Sequence, residues 1–129
     1  MYETERVLRT GVVAMTTGDM ETLPTCFADD VAVHVPGTNQ LSGDYKGKGE
    51  LFDGFLGKLM TLTDGQVVLE PHDILGSEHH AVGIYTWRAT RDGRTFEWRQ
   101  VNVYHVTNGQ IVELWQHPFD FEAWNEFWS

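Results

Sequence analysis

Two dipeptides constrain this chain more than any other feature: Asp92-Gly93 and Asn108-Gly109, each set between long β-rich runs. Both central residues of a two-residue hairpin turn take positive φ, which Gly, Asn and Asp tolerate and most residues resist. The runs "HAVGIYTWRATR" and "TFEWRQVNVYHVT" flank the first turn, and "QIVELWQH" follows the second. These runs are predicted to form an antiparallel meander. A further strand-like run, "QVVLEPHDILGSE", precedes them.

Upstream the periodicity changes from two to that of a helix. In "ETERVLRTGVVAMTTGD", Val7, Leu8, Val12 and Met15 recur at helical spacing, Gly18 stops the helix and Asp19 can cap the next. The segment "DMETLPTCFADD" carries Pro24, which removes a backbone donor, so an irregular or broken turn is expected there. "VAVHV" (31–35) alternates as a strand, and "PGTNQLSGDYKGKG" reads as a long polar loop, of a kind often functional. "ELFDGFLGKLMTL" resumes a helical pattern that Gly54 and Gly57 weaken. Helix, helix, strand, helix and then sheet predicts one α+β domain over residues 1–129, with N-terminal helices on one face of a curved antiparallel sheet.

Charge excludes several functions. Nine Lys and Arg against nineteen Asp and Glu leave a net charge of −10. Nucleic-acid binders need clustered basic residues to displace counterions, and anionic membranes make the same demand. Neither partner is expected. Cys26 is the only cysteine, so neither an intrachain disulfide nor a Cys-based zinc site is available. There is no secretory leader pattern and no apolar run of membrane-spanning length, which predicts a cytoplasmic protein. His79-His80 lies in a polar turn, no HExxH spacing occurs, and "GDYKGKGE" lacks the ending of a phosphate loop, so neither metal nor cofactor is expected.

Three stretches carry a family resemblance: "GDMETLPTCFADDVAVHVPG", "GDYKGKGELFDGF" and "YHVTNGQIVELWQHPFD". With this element order, they resemble the nuclear transport factor 2-like superfamily, in particular its SnoaL-like branch. The resemblance covers nearly the whole chain. It implies a curved sheet wrapped into a cone around three helices, with an apolar pocket at the open end. Related enzymes include ketosteroid isomerase, limonene epoxide hydrolase and polyketide cyclases, beside non-catalytic binding modules. Fold alone does not choose among them.

Under that resemblance, strand parity sorts the side chains. Gly83, Tyr85, Trp87 and Ala89 share the inner face of one strand, Trp98, Gln100, Asn102 and Tyr104 that of the next, and Val112, Leu114 and Gln116 that of the last. Arg99, Val101, Val103, His105, Glu113, Trp115 and His117 then point outward. The outer face often packs on a second subunit in this superfamily, and Val101, Val103 and Trp115 suit that role, so a homodimer is expected.

The same alignment puts Val35 at the position of the isomerase's base, Gly11 and Val12 near its tyrosine donor, and Asn102 at the protonated acid of its oxyanion hole. Asn102 can polarise a carbonyl, but proton abstraction needs a base in reach, so steroid-type isomerisation is not expected. The carboxylate pair of epoxide hydrolysis is absent from the inner face. A SnoaL-like cyclase needs one acid–base group in an apolar cavity, because the cavity's shape supplies proximity. The candidates for that group are His34, His117 and Asp120, with Asn102 as the catalytic donor that polarises a carbonyl, acting on a hydrophobic cyclic or polyketide-derived small molecule without a cofactor. Tyr85, Trp87, Trp98, Tyr104, Leu114, Gln116 and Trp124 are the expected binding residues. Each also has a structural reading. Asp120 sits where a helix N-cap belongs. His34 and His117 fall on the outer parity unless a bulge turns them. Asn102 can simply bond backbone, and the aromatics can be core. A non-catalytic ligand-binding or interaction module therefore stands as the alternative.

The C-terminal "FDFEAWNEFWS" places Phe121, Trp124 and Trp128 at i, i+3 and i+7, with Glu122, Asn125 and Glu126 opposite. A short helix there is expected to fold back as a lid or wall of the pocket.

Overall fold

The computed structural model describes all residues from 1 to 129. Both dipeptide turns form as expected: Asp92 and Gly93 take φ of 51° and 75°, and Asn108 and Gly109 take 52° and 74°. They join β4 (His80–Arg91), β5 (Arg94–Thr107) and β6 (Gln110–Pro118) into the antiparallel meander, and β3 (Val67–Gly76) pairs antiparallel with β4.

The N-terminal half closes this sheet. Helix α1 (Glu3–Thr17) buries Val7, Leu8, Val12 and Ala14, and ends at Gly18, whose φ of 73° admits the left-handed cap. It packs against β3, β4, β5 and β6. Pro24 restricts the next segment to a four-residue 3-10 turn, Leu23–Cys26. Strand β1 (Phe27–Val35) starts four residues before the "VAVHV" run and pairs parallel with β6, with an irregular register between Phe27 and Ala32. That pairing accommodates two exposed acids, Asp29 and Asp30, which hide the strand start from the sequence pattern.

The long polar loop holds a further strand. β2 (Gly43–Lys46) pairs antiparallel with β1, setting Asp44 beside His34. The sheet order is β2-β1-β6-β5-β4-β3. The glycine-weakened helix forms in three pieces: α2 (Gly47–Gly49), a π-helical stretch (Glu50–Leu56) and α3 (Gly57–Thr63). Leu51, Phe55 and Leu59 of this segment are buried. The result is the expected α+β fold, a curved, unclosed sheet around the helices, and no helix is long and apolar enough to cross a membrane.

Two details depart from the parity reading. A register shift at the β5–β6 turn pairs Val106 with Ile111, so Ile111, 1% exposed, takes the inner position expected for Val112. In the C-terminal helix α4 (Phe121–Phe127), the buried side is Trp124, Phe127 and Trp128, while Phe121 stays 42% exposed. Trp128 caps the helix with its amide donating to Trp124 O, and its ring lies beside that of Phe127 at a separation of 4.8 Å.

Candidate functional site

The space between helices and sheet is a cavity of about 90 Å³. Helix α1 lends Leu8, Val12 and Met15, and the π-helical stretch lends Leu51, Phe52 and Phe55. The sheet supplies the floor, where all the cavity's hydrogen-bonding side chains converge: Tyr85, Trp87, Asn102, Tyr104 and Gln116. Fifteen of eighteen lining residues are hydrophobic and none is a carboxylate, imidazole or ammonium, so any ligand meets neutral chemistry.

Alternation brings the polar groups together. Trp98, Gln100, Asn102 and Tyr104 are successive inner residues of β5, and register puts Gln116 opposite Asn102. Trp98 Nε1 donates to Gln100 Oε1 at 2.9 Å. Gln100 Nε2 donates to Asn102 Oδ1 at 2.8 Å and to Gln116 Oε1 at 3.2 Å. Asn102 Nδ2 donates to Tyr104 Oη at 3.2 Å, and the Tyr104 and Tyr85 hydroxyls meet at 2.8 Å. Gly83 makes the last contact possible. The Tyr85 ring leans along its own strand, and a Cβ at position 83 would overlap the Tyr85 hydroxyl.

Burial tunes these groups. It pushes the Tyr85 phenol far above its ordinary range, and the neighbouring Tyr104 pushes it further. Burial raises Tyr104 as well, against hydrogen bonds from Tyr85 and Asn102 that act the other way. Both phenols are donors near neutral pH, not bases.

Of the anticipated catalytic residues, only the donor Asn102 lies in the cavity, and none of the three acid–base candidates does. His34 is on the outer face, its Nδ1 2.8 Å from Asp44 Oδ1 and its Nε2 2.6 Å from Glu113 Oε2. Its pKa is raised, first by Asp44 and then by Glu113, with burial acting against them. His117 is exposed at the end of β6, because no bulge reverses its parity. Asp120 caps α4, its Oδ1 accepting from the Ala123 amide at 3.2 Å. No three His, Cys, Asp or Glu side chains converge as a metal site.

The anticipated binding residues divide. Tyr85, Trp87, Tyr104, Leu114 and Gln116 line the main cavity. Trp98 and Trp124 instead line a second cavity of about 20 Å³, together with Trp128, and Trp87 and Gln116 border both. The tail is therefore an end wall of the smaller space. The polar loop holds it there: Asn125 Oδ1 accepts from the Thr38 amide at 2.8 Å and from Asn39 Nδ2 at 2.7 Å, and the Gln40 amide donates to Trp128 O at 3.2 Å. Sequence reasoning placed Gln100 and Gly83 on the inner face without giving either a role. The i, i+2 series of Trp98, Gln100, Asn102 and Tyr104 was the signal available, since four hydrogen-bonding side chains on one buried face must satisfy one another.

Comparison with known proteins agrees with this geometry. Residues 8–114 match the model of the SnoaL-like domain. The uncharacterized protein Rv0034 of Mycobacterium tuberculosis is 29% identical over 124 residues, covering 95% of this chain and 94% of that protein. Bal32a, from a soil-derived mobile gene cassette, superposes with a TM-score of 0.91 at 30% identity, over 98% of this chain and 97% of its own. An NTF2-like protein of unknown function from Burkholderia pseudomallei shares the fold, with a TM-score of 0.82 at 24% identity over 95% of both chains. The matched domain spans the helical wall and all of the polar floor but Gln116, and the chain belongs to the SnoaL-like domain family.

Proposed function

We propose that the cavity binds a neutral, largely apolar small molecule and holds its polar end against Asn102 and Gln116, as a ligand-binding module. The observation that carries this reading is the absence of any carboxylate, imidazole or ammonium among the lining residues, against four carboxamide and phenol side chains on the floor. A charged ligand would lose its hydration without gaining a counter-ion. A cavity of about 90 Å³ is smaller than the roughly 150 Å³ space that admits benzene elsewhere, which suits a molecule smaller than benzene or the tip of a larger one.

A second reading is supported by Asn102, which occupies the position that the resemblance matched to an oxyanion-hole acid. Asn102 would polarise a carbonyl, and ring closure would follow for a substrate whose own enol attacks that carbonyl, the enol proton passing to the new alkoxide. Incubating the purified protein with hydrophobic cyclic ketones, epoxides and linear polyketide mimics, followed by mass spectrometry, separates the readings. Retention in native spectra without product supports the binding module. A product of unchanged mass, abolished by Asn102→Leu, supports the enzyme. Neither retention nor product overturns both.

The half-exposed Val101, Val103 and Trp115 on the outer face support a homodimer through that surface. Light scattering on the wild type and on Trp115→Glu tests it, and a monomeric wild type would remove it.

A further inference from the structure

We propose that the cavity selects its ligand by hydrogen-bond polarity, taking small apolar molecules with a bare acceptor oxygen, of the ketone, quinone or lactone class, in preference to the matching alcohols. This rests on the small-molecule reading above and adds the ligand's polarity to it.

The argument starts at Trp98, whose indole N–H can only donate. It donates to Gln100 Oε1, which turns the Gln100 nitrogen toward Asn102 and Gln116. Both Gln100 hydrogens are then used on the oxygens of those two residues. Asn102 must in consequence offer its nitrogen to Tyr104 Oη. The Tyr104 and Tyr85 hydroxyls meet next, in a contact that either can donate. One donor-only residue outside the main cavity thus orients the amides on its floor.

What remains unpaired has a single sign. Gln116 Oε1 accepts from Gln100, while Gln116 Nε2 has no protein acceptor, and one hydrogen of Asn102 Nδ2 is left over. Independently, the indole N–H groups of Trp87 and Trp128 are buried with no acceptor. Trp87 borders both cavities and Trp128 the smaller one. Each of these unpartnered groups is a donor. A buried unpaired N–H is rarer and more costly than a carbonyl with a spare lone pair. A ligand oxygen set against the spare hydrogen of Gln116 or Asn102 relieves part of that deficit, whereas a ligand hydroxyl brings a further hydrogen to a donor-rich wall.

The test is an NMR titration of the full chain with propane, acetone and propan-2-ol. Acetone is expected to bind about tenfold more tightly than propan-2-ol, the ratio set by leaving one donor unpaired. Trp98→Phe frees Gln100 to rotate, and Gln116→Met removes the free amide should Trp98→Phe fail to fold. Either variant is expected to bring the ketone-to-alcohol ratio toward one. Absence of binding by all three probes overturns the small-molecule reading and this inference with it. Propane binding with an alcohol that equals or exceeds the ketone overturns the polarity inference alone. A ketone preference that survives in every folded variant overturns the assignment of its origin to Trp98 and Gln116.

Discussion

Two hydrogen-bonded groups cross neighbouring strands on opposite faces of one sheet. Inside, Tyr85, Tyr104, Asn102, Gln100 and Gln116 link β4, β5 and β6 through neutral amides and phenols. Outside, Asp44, His34 and Glu113 link β2, β1 and β6 through an imidazole between carboxylates, with Trp115 stacked on the ring at 5.8 Å. The outer contacts are as short as the inner ones, yet water reaches them: the His34 side chain is 33% exposed and that of Asp44 78%. Charge is tolerable there and expensive inside, where an ion loses several kcal/mol of hydration. The residue type best suited to proton transfer is therefore on the face with no cavity, and the cavity face carries groups that can only orient and polarise.

That contrast can be broken from the inside with large effects. The closing wall goes first: Trp128→Ala, at a fully buried indole, is expected to lower unfolding free energy by about 3–5 kcal/mol in a denaturant titration. A loss under about 1 kcal/mol would mean the tail does not seal the interior. Gln100→Leu removes the hub of the inner group and leaves Trp98, Asn102 and Gln116 each short of a partner. It is expected to destabilise by at least about 1–3 kcal/mol, the effect of one unsatisfied buried group. Tyr85→Phe deletes only the terminal hydroxyl and is expected to lose about 1 kcal/mol by the same measurement.

The outer group sharpens the comparison by responding weakly and with pH. His34→Gln is expected to change stability by less than about 1 kcal/mol, because exposed ion pairs are screened by water and salt. The sign follows from its raised pKa. The folded protein holds the His34 proton more tightly than the unfolded chain does, so the contribution is complete below the ordinary histidine range and fades as pH rises through the raised value. Thermal melts of wild type and variant should therefore differ most at acidic pH and converge at alkaline pH. A gap that grows with pH would sink the assignment.

Much of the architecture was legible because it rests on local rules. Asp-Gly and Asn-Gly fixed two hairpins, and alternation put Asn102 and Gln116 inward and His117 outward. Asp120 could be read as a cap from its place after Pro118. The failures share another cause. Val112 was misplaced because a bulge shifts register by one residue without marking composition. Strand β2 was hidden in a Gly-rich loop, since its pairing to β1 comes from tertiary approach rather than β propensity. Phe127 took the buried place expected of Phe121 because a seven-residue helix admits more than one apolar stripe, and the surface it packs on picks one.

The sequence by itself therefore determined the element order, the meander, the face of most strand residues and the uncharged character of the inner face. Each follows from backbone geometry within a few residues of chain. Only the tertiary structure decided that the loop at 38–40 holds the tail, that Gly83 makes room for the Tyr85 hydroxyl, and that Trp98 orients the amides on the cavity floor. Those depend on which distant atoms meet and on which of them has already used its only hydrogen, and no local pattern encodes that.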